Sequence, residues 1–336
     1  MTNSDENMKD RLPRGRLAPS PTGALHLGNA RSFLLAWLSI RSRGGSLVLR
    51  MEDLDHPKVK PGATQQALED LRWMGLDWDE GPDIGGSCAS YTQSERVPLY
   101  RAALGRLRDK GLIYPCVCSR RDVLHGQSAP QDGEDRQRYT GRCRDRFASY
   151  AEACRELPSD RLPAWRFRAG PGERGFEDGF RGWQHRDVAS EDGDFVLARH
   201  ADGAGYMLAV VVDDHAMGVT EVLRGDDLLP ATHRQLMIYS ALGLEPPLFV
   251  HVPLVVARDG RRLAKRHGDT RLATLRRNGM SPRRLVGLLA WWCGWADLGE
   301  ALSPRDLIPR FDLKTLRPEP AVLDQDILAW LEKPID

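Results

Sequence analysis

The chain has 336 residues, 48 of them Lys or Arg against 47 Asp or Glu, and its 41% hydrophobic and 28% charged content excludes extensive disorder and predicts about two globular domains. The formal net charge is +1, no apolar run reaches the ~18 residues of a membrane helix, and the polar start has no apolar core for a secretory signal. Six cysteines in a chain of this length do not indicate a disulfide scaffold, so we expect a cytoplasmic protein. We also expect a monomer.

The first part of the chain predicts alternating strands and helices. A strand over 14–19 runs into a Pro- and Gly-rich loop, and a helix over 27–43 follows, with apolar residues at helical spacing until a Gly-Gly pair. A second strand over 46–51 and a second helix over 63–74 complete a βαβα start. This alternation is typical of a doubly wound parallel sheet, so we expect an α/β fold.

The middle of the chain, residues 114–205, differs in composition from the first part. Its cysteines, Gly-Pro pairs and charged turns predict an insert of short strands and loops, with a disordered tip over 127–134. The segments that follow are again typical of a sheet. We therefore expect the insert to interrupt the sheet.

The sheet is predicted to resume after the insert. An apolar strand over 207–212 and a second strand over 219–223 precede a helix over 231–242, and another strand follows over 253–257. Residues 281–336 are predicted to be helical, with prolines between the segments.

The first candidate functional motif is a strand–loop–helix junction. The loop Ala18–Gly23, Ala-Pro-Ser-Pro-Thr-Gly, leads to His26, Gly28 and Asn29 at the start of the predicted helix. A helix N-terminus offers backbone N–H groups and a partial positive charge, which suit a phosphate group. Gly28 has no side chain, so a nucleotide could lie against the backbone, and His26 could donate a hydrogen bond to a phosphate oxygen. A turn histidine beside a packing glycine is the alternative interpretation.

The second motif is basic and follows the last predicted strand. It reads Arg262-Leu263-Ala264-Lys265-Arg266, and cations of this kind can stabilise charge while a phosphorus centre reacts. The wider stretch over 258–284 holds ten basic residues against two acidic ones, a local charge of +8. It could attract a polyphosphate or an RNA backbone, or it could be a solvated helix face, and charge alone does not decide between them.

Together the two motifs resemble the signature motifs of class I aminoacyl-tRNA synthetases, which are ligases. Five segments narrow the resemblance to the glutamyl-tRNA synthetase group: Arg16–Gly23, His26–Asn29, Arg50–Asp53, Val212–His215 and Val222–Asp227. The resemblance implies a Rossmann-type catalytic domain that uses ATP, Mg²⁺ and L-glutamate and forms a glutamyl-adenylate. It assigns ATP binding to His26, Gly28, Asn29 and Lys265, with His26 and Lys265 as catalytic residues.

The resemblance also divides the chain. It implies that residues 1–113 and 206–270 form the two halves of the catalytic domain and that residues 114–205 form an insert with a zinc site. Residues 271–336 are then a helical region similar to the part of the family that contacts the tRNA stem.

The length of the chain narrows the resemblance further. Only 71 residues follow Lys265, too few for both a stem-contact region and an anticodon-binding domain. We therefore expect no anticodon-binding domain. The chain resembles the truncated glutamyl-queuosine tRNA(Asp) synthetase branch, which activates glutamate without tRNA and transfers it to the queuosine base in the anticodon of tRNA(Asp).

Two alternatives stay open at this stage. The chain could transfer glutamate to another RNA or to a carrier protein, with the same first step. It could also be a non-catalytic relative that binds glutamate or RNA, because Ala264 replaces a hydroxyl residue of the second signature. Lys265, which is retained in that signature, argues against the second alternative.

A glutamate pocket needs cations for two carboxylates and an anion for one ammonium group. By resemblance we assign Arg16 to the side-chain carboxylate, Arg224 to carboxylate recognition and Glu52 to the ammonium. Tyr206 matches the pocket tyrosine of the family, and Ser20 would add a hydroxyl. The alternative for Arg224 and Glu52 is a salt bridge, but ends of strands are where ligands gather in this fold.

Three cysteines of the insert indicate a metal site. Cys116 and Cys118 form a Cys-x-Cys pair, and Cys143 follows about twenty residues later. Structural zinc prefers four ligands and binds thiolates well, so three cysteines are an incomplete set. Free thiols are the alternative, but a segment so poor in apolar residues needs another source of stability.

The fourth zinc ligand is open on sequence grounds. The family resemblance implies Tyr139, which lies four residues before the last cysteine of the set. His125 is the fallback, and Cys154 is a weaker candidate.

Two further features have structural and functional interpretations. His233 could approach an adenosine or lie on a helix surface. Trp291, Trp292 and Trp295 could stack on bases, but the leucines beside them favour core packing, and Cys293 is expected in the core.

Overall fold

The computed structural model describes residues 12–54, 59–119, 122–123, 138–199, 203–261, 263 and 270–332. The disordered tip predicted over 127–134 lies outside these residues. The helices are α1 (Leu27–Arg41), α2 (Ala63–Trp73), α3 (Val97–Asp109), α4 (Tyr150–Arg155), α5 (Val188–Glu191), α6 (Tyr206–Ala216), α7 (Leu229–Leu242), α8 (Leu272–Arg277), α9 (Pro282–Cys293), α10 (Pro304–Leu307) and α11 (Gln325–Glu332). The strands are β1 (Arg14–Leu17), β2 (Ser46–Leu49), β3 (Ile113–Cys116), β4 (Ala164–Phe167), β5 (Arg174–Asp178), β6 (Gly182–Arg186), β7 (Phe195–Ala198), β8 (Glu221–Gly225), β9 (Leu248–Val252), β10 (Val255–Ala257) and β11 (Ala321–Leu323).

Parallel strands form the centre of the molecule. β1 pairs with β2 and β8 pairs with β9, both in parallel. The amide of Thr220 donates a 2.8 Å hydrogen bond to the carbonyl of Arg14, which brings β8 beside β1. Strands β2 and β8 bury residues on both faces, as parallel strands between helices require, whereas β1 buries Gly15 and Leu17 on one face and has Arg14 and Arg16 on the other. The predicted α/β class is therefore confirmed.

Helix α1 covers this sheet and positions the first motif. Its side chains are buried nearly all along its length; Trp37 is fully buried, and its indole nitrogen donates to Asp77 at 2.9 Å. Burying one such side chain contributes about 2–3 kcal/mol. The helix ends one turn before Gly44, whose φ of +68° lies in the left-handed region that glycine tolerates.

The insert forms antiparallel structure of its own. β3, β4 and β7 make a three-stranded antiparallel sheet, and β5 and β6 make a hairpin. These are the short strands and loops predicted for this part of the chain. The hairpin returns to the central sheet, where the amide of Gly179 donates to the carbonyl of Phe249 at 2.8 Å.

The strand predicted over 207–212 is wrong, because this segment belongs to helix α6. A short continuous apolar run does not distinguish a buried strand from a buried helix. Here the helix packs against α7 and β7 and buries side chains on most of its surface, including Asp213 and Asp214 in its last turns. The apolar run therefore indicates that the segment is buried, but it does not indicate a strand.

The last part of the chain combines confirmed and missed features. Trp292, Trp295 and Cys293 are buried and Trp291 packs partly buried against the same core, which confirms core packing. The predicted helical region also contains β11, which pairs in parallel with β10. Within the described ranges, every helix is too short or too polar to span a lipid bilayer.

Candidate functional site

A cleft of about 370 Å³ opens at the carboxyl ends of β1 and β8, beside the start of α1. Its walls combine residues of both predicted motifs with two of the predicted glutamate-site residues. The lining residues that carry the argument are Arg16, His26, Gly28, Asn29, Arg224 and Leu263. Ligands of open α/β sheets bind at such strand ends, so the location fits a ligand site.

His26 caps helix α1. Its Nδ1 accepts a hydrogen bond from the amide of Gly28 at 3.1 Å, and its own amide donates to Oδ1 of Asn29 at 3.1 Å. Because Nδ1 accepts, the ring proton lies on Nε2, the nitrogen that could donate to a phosphate oxygen. The amide of Gly28, one of the N–H groups at the start of the helix, therefore donates to the histidine ring.

Gly28 leaves space for the His26 ring. A Cβ atom at Gly28 would lie 3.0–3.1 Å from ring atoms of His26. This contact is tighter than ordinary van der Waals contact, so a side chain would displace the ring that caps the helix. The glycine is therefore needed for the histidine as well as for an open cleft.

The two motifs meet at the cleft. The amide of Leu27 donates to the carbonyl of Thr270 at 3.1 Å, and the amide of Leu272 donates to the carbonyl of Leu25 at 2.9 Å. Leu263, within the second motif, lines the cleft. The remaining residues of that motif, Arg262, Ala264, Lys265 and Arg266, lie outside the described residues.

Arg224 is buried at the end of β8, with 6% of its surface exposed. Its Nε donates to Nε2 of His251 at 3.0 Å, and its Nη2 donates to Thr232 at 2.7 Å and to Gln235 at 2.8 Å. None of these three acceptors is a carboxylate. Among the described residues, Arg224 therefore reaches the cleft wall without a directly paired negative charge.

Arg16 and Arg50 lie beside a pair of buried carboxylates. Arg50 is fully buried; its Nη1 donates to Asp214 at 2.7 Å, and its Nε lies 3.8 Å from Asp213. Burial would lower the pKa of Arg50, but the attraction of Asp214 and its neighbours outweighs burial and raises it well above its usual range. Arg16 donates to the carbonyl of Leu223 at 3.1 Å and lies 4.0 Å from Asp214. Burial lowers the pKa of Arg16.

The other predicted glutamate-site residues are placed differently. Glu52 accepts a hydrogen bond from Nη2 of Arg50 at 3.0 Å, and burial raises the pKa of Glu52. Tyr206 is the first residue of α6, and Arg224, Glu52 and Arg16 are among the charges that act on its hydroxyl. Ser20 is exposed in its loop and is not part of the cleft lining. Glu52 pairs with Arg50 and not with Arg224.

Three residues near this site have no role assigned from the sequence. Asp213 and Asp214 belong to a segment that matched the family, and consecutive acidic residues inside an apolar run signal buried, paired charge. Tyr239 on α7 has a buried hydroxyl with no hydrogen-bond partner in the described structure, and the charges of Asp214 and Arg16 act on it. No local sequence signal marks Tyr239.

His233 does not lie on a helix surface, so that interpretation is wrong. It is 2% exposed on α7 and packs edge-on against Phe176, with ring centroids 5.1 Å apart. It is not part of the cleft lining. Burial lowers its pKa.

The cysteines of the insert form one cluster. The sulfur atoms of Cys116, Cys118 and Cys143 lie within 4.8 Å of one another, and those of Cys118 and Cys143 are 3.4 Å apart. The hydroxyl of Tyr139 lies 3.5 Å from the sulfur of Cys116 and 3.7 Å from that of Cys118. A tetrahedral zinc site with Zn–S bonds of about 2.3 Å has ligand separations of about 3.8 Å, so these four side chains fit one zinc ion.

The thiols of the cluster differ in their preference for the charged form. Hydrogen bonding with Cys143 and burial raise the pKa of Cys116, and burial raises the pKa of Cys118. Nε of Arg166 donates to the sulfur of Cys116 at 3.2 Å, and its guanidinium stacks on Tyr139 at 3.7 Å. A hydrogen bond from Cys116 lowers the pKa of Cys143 to about 4. Cys154 is not part of the cluster, and His125 lies outside the described residues.

The basic stretch is less uniform than its charge count suggests. Arg276 pairs with Glu69 at 3.2 Å, and Arg284 stacks on Trp330 at 4.2 Å. Arg283 pairs with Asp306 at 2.9 Å, whereas Arg277 is exposed and donates to Thr274 of its own helix. Part of this positive charge therefore stabilises the fold.

Comparison with known proteins identifies relatives over nearly the whole chain. Residues 14–330 match the family described as tRNA synthetases class I (E and Q), catalytic domain. The chain is 49% identical over 319 residues to a glutamyl-Q tRNA(Asp) synthetase from Symbiobacterium thermophilum, covering 94% of this chain and 98% of that protein. It is 45% identical over 320 residues to a protein of the same name from Nitratidesulfovibrio vulgaris, covering 95% and 98%.

Longer relatives match over part of their length. A glutamate–tRNA ligase 2 from Syntrophus aciditrophicus is 39% identical over 325 residues, which cover 96% of this chain and 66% of that protein. A crystal structure of a glutamate tRNA ligase from Elizabethkingia meningosepticum in complex with its amino acid is similar, with a TM-score of 0.80 and 28% identity. That match covers 96% of this chain and 69% of the other.

Proposed function

Because the chain belongs to the class I tRNA synthetases for glutamate and glutamine, we propose that it activates L-glutamate with ATP and then transfers the glutamyl group to the queuosine base in the anticodon of tRNA(Asp). The enzyme class, an aminoacyl-tRNA synthetase-type ligase, follows from the family. The reaction and its acceptor are argued below from the cleft and from the relatives.

One observation carries the choice of glutamate. Arg224 is buried at the cleft wall, and its acceptors among the described residues are all neutral, so an anionic ligand would neutralise a desolvated charge. Arg16 lies at the same wall, with a buried Nε that has no hydrogen-bond partner in the described structure. Two cations beside one cleft suit the two carboxylates of glutamate. Glu52 and Tyr206 are the further residues that we assign to this subsite, and Ser20 is retained as a weaker assignment.

The ATP subsite lies at the start of helix α1. We assign it to His26, Gly28 and Asn29, with Lys265 of the second motif as the additional cation. His26 can donate from Nε2, and the helix N-terminus favours the negative charge of the phosphates. Bound Mg²⁺ would supply neutralisation of phosphate charge. The residues of this chain bind and orient both substrates, which is the main contribution of protein groups to phosphoryl chemistry.

The chemistry has two steps. An oxygen of the glutamate α-carboxylate attacks the α-phosphorus of ATP, the bond between that phosphorus and the bridging oxygen breaks, and diphosphate leaves. A hydroxyl of the modified base then attacks the activated carbonyl carbon. The bond between that carbon and AMP breaks, AMP leaves with the bonding electrons, and the hydroxyl proton is released. Arg16 and Arg224 hold the amino acid during both steps, so their role is to position the substrate.

The identity of the acceptor is supported by coverage. The glutamyl-Q tRNA(Asp) synthetases match over 98% of their own length, whereas the glutamate–tRNA ligase from Syntrophus matches over 66%. A chain that corresponds to whole proteins of the first kind is most simply assigned their acceptor. We retain the expectation of a monomer as a proposal.

We assign a structural zinc ion to Cys116, Cys118, Tyr139 and Cys143. The separations between their ligand atoms support this assignment, and three of the four residues are themselves buried members of a small cluster with Tyr114. The ion would stabilise a part of the insert with few apolar side chains. It has no assigned role in the reaction.

The first step is tested by exchange of labelled diphosphate into ATP without tRNA. We expect exchange with L-glutamate and none with L-aspartate or L-glutamine. Lys265→Ala is expected to abolish exchange, and Arg224→Gln is expected to raise the glutamate KM more than the ATP KM. Absence of glutamate-dependent exchange in the unaltered protein would favour a binding protein without catalytic activity.

A further inference from the structure

Behind Arg224 lies a buried chain of hydrogen bonds that the proposed reaction does not use directly. Asp178 at the end of β5 and His251 on β9 are both almost completely buried. Oδ2 of Asp178 lies 2.6 Å from Nδ1 of His251, and Nε2 of His251 lies 3.0 Å from Nε of Arg224. The chain runs from the insert, through the central sheet, to the cleft.

Hydrogen-bond directions fix the protonation state of His251. The Nε of an arginine always donates, so Nε2 of His251 must accept; the hydroxyl of Thr232 lies 3.1 Å from the same nitrogen and can also donate to it. The ring proton therefore lies on Nδ1 and is donated to Asp178. Burial lowers the pKa of His251, and hydrogen bonds from His251 and backbone amides, which outweigh burial, lower the pKa of Asp178. A neutral His251 and an ionised Asp178 agree with both the hydrogen-bond directions and these pKa shifts.

Asp178 is an acceptor at every contact. Its Oδ1 accepts from the backbone amides of Phe180, Arg181 and His251 at 2.8–3.1 Å, while its Oδ2 accepts from the His251 ring. An amide group could not satisfy all these donors. The site therefore requires a carboxylate, and the carboxylate fixes the ring tautomer.

We propose that Asp178 and His251 are positioning residues for Arg224, which hold its guanidinium at the angle that binds a glutamate carboxylate. This inference rests on the proposed function, since it assigns the partner of Arg224 as glutamate. Thr232 and Gln235 fix Nη2 and His251 fixes Nε, so within the part of the chain that the structure describes Nη1 is the nitrogen left for a ligand. Of these three acceptors, His251 is the one that accepts only in one ring tautomer, and Asp178 sets that tautomer.

The key variant is Asp178→Asn. The backbone donors hold the amide oxygen of the asparagine, so its NH₂ group faces Nδ1 of His251. The ring then carries its proton on Nε2, where the hydroxyl of Thr232 can accept it, but the Nε–H of Arg224 now faces a donor and loses its acceptor. We expect the glutamate KM in diphosphate exchange to rise by about tenfold to a hundredfold, with little change in the ATP KM.

Two changes at His251 separate positioning from packing. His251→Phe keeps a ring but removes both hydrogen bonds, and we expect it to raise the glutamate KM as strongly as Asp178→Asn. His251→Gln retains a donor and an acceptor, so a smaller rise is expected. Equal effects of the two His251 variants would overturn the proposal.

A matched control lies on the strand of Arg224. Glu221 is a buried carboxylate at the start of β8 that accepts from Ser39 and Arg43, far from the cleft end of the strand. Glu221→Gln makes the same carboxylate-to-amide change, so it reports the loss of a buried charge alone. We expect a lower Tm and an unchanged glutamate KM. If Asp178→Asn also leaves the glutamate KM unchanged, the proposal is wrong.

A direct measurement covers the case in which Asp178→Asn does not fold. Nitrogen-15 chemical shifts of labelled histidine report which ring nitrogen carries the proton, and His251→Gln identifies the resonance. We expect the Nδ1–H form in the unaltered protein, and the Nε2–H form would contradict the proposal. This result does not depend on activity: absent glutamate exchange would remove the proposed function, whereas normal exchange with an Nε2–H ring would remove only this inference.

Discussion

The cleft and the cysteine cluster are stabilised in different ways. The cleft lies against a large apolar core, and the buried charges behind it are held by several partners each. Asp213, for example, accepts from Arg96, Gln93 and Tyr100 and also faces Arg50. The cysteine cluster has only a small group of buried apolar residues around it. Charges inside a well-packed core can be fixed by protein groups alone, whereas a segment with little core needs a ligand such as zinc.

The largest expected effect concerns the buried charges near the cleft. Arg50→Met leaves Asp213 and Asp214 without their central cation, and removing one partner of a buried ion pair costs about 3–5 kcal/mol. We expect a loss of this size in urea unfolding. Arg108→Met is the control, because its pair with Asp109 is exposed and contributes at most about 1 kcal/mol. Equal losses in the two variants would show that the network does not stabilise the fold.

The second effect concerns the cysteine cluster. Cys143→Ser removes one thiolate, and we expect bound zinc, measured by elemental analysis, to fall from one ion per chain to nearly none. Because zinc binding and local folding are coupled, protease cleavage within the insert should increase. Cys154→Ser should change neither readout, since Cys154 is outside the cluster. Unaltered protein without zinc would contradict the assignment of the metal.

The third effect concerns Asp70, a buried carboxylate that lowers the stability of the well-packed catalytic part when it is ionised. Asp70 on α2 is fully buried, accepts from Gln66 at 2.9 Å and lies 4.0 Å from Arg276. Burial raises its pKa from 3.8 to about 6, so ionisation destabilises the folded state. The stability that this group contributes is present below pH 3.8 and is lost as the pH rises through 6.

Asp70→Asn removes this pH dependence. At pH 8 we expect the variant to be more stable than the unaltered protein, by no more than about 3 kcal/mol. The difference should disappear near pH 4, and urea unfolding at several pH values measures it. Asp109→Asn, at an exposed position, should show no such trend. A constant difference between pH 4 and pH 8 would contradict the raised pKa.

The smallest effects on stability are expected on the basic stretch. Arg277→Gln and Arg283→Gln together change exposed side chains, so we expect a stability loss of no more than about 1 kcal/mol and unchanged diphosphate exchange. If this surface binds RNA, tRNA affinity should fall and its salt dependence should weaken. Arg284→Gln serves as the contrast, because it removes stacking on Trp330 and should lower Tm. Unchanged tRNA affinity in the double variant would place the RNA elsewhere.

Much of the fold could be predicted from the sequence where local signals agree. Helix α1 begins at Leu27 as predicted, because a capping histidine, a glycine and helical spacing of apolar residues coincide there. Helix α6 was mistaken for a strand, because a run that is apolar on all sides has no period to measure. β11 was missed, since three residues among helices carry too little pattern to indicate a strand.

The candidate site was predictable as motifs but not as a network. The sequence indicates that His26, Gly28 and Arg224 belong to one site, and all three line the cleft. It does not indicate that Arg224 depends on Asp178, which lies 46 residues earlier in the insert. Contacts of this kind arise only when the insert folds back onto the central sheet, so no local pattern records them.

The central claim is tested most directly by charging tRNA(Asp) with labelled glutamate in the presence of ATP. Two samples of the tRNA are needed, one with queuosine and one with the unmodified guanosine. We expect label only on the queuosine-containing tRNA, and no label with Lys265→Ala. Activation of glutamate without labelling of either tRNA would retain the first step and contradict the acceptor. Equal labelling of both tRNAs would contradict transfer to the modified base.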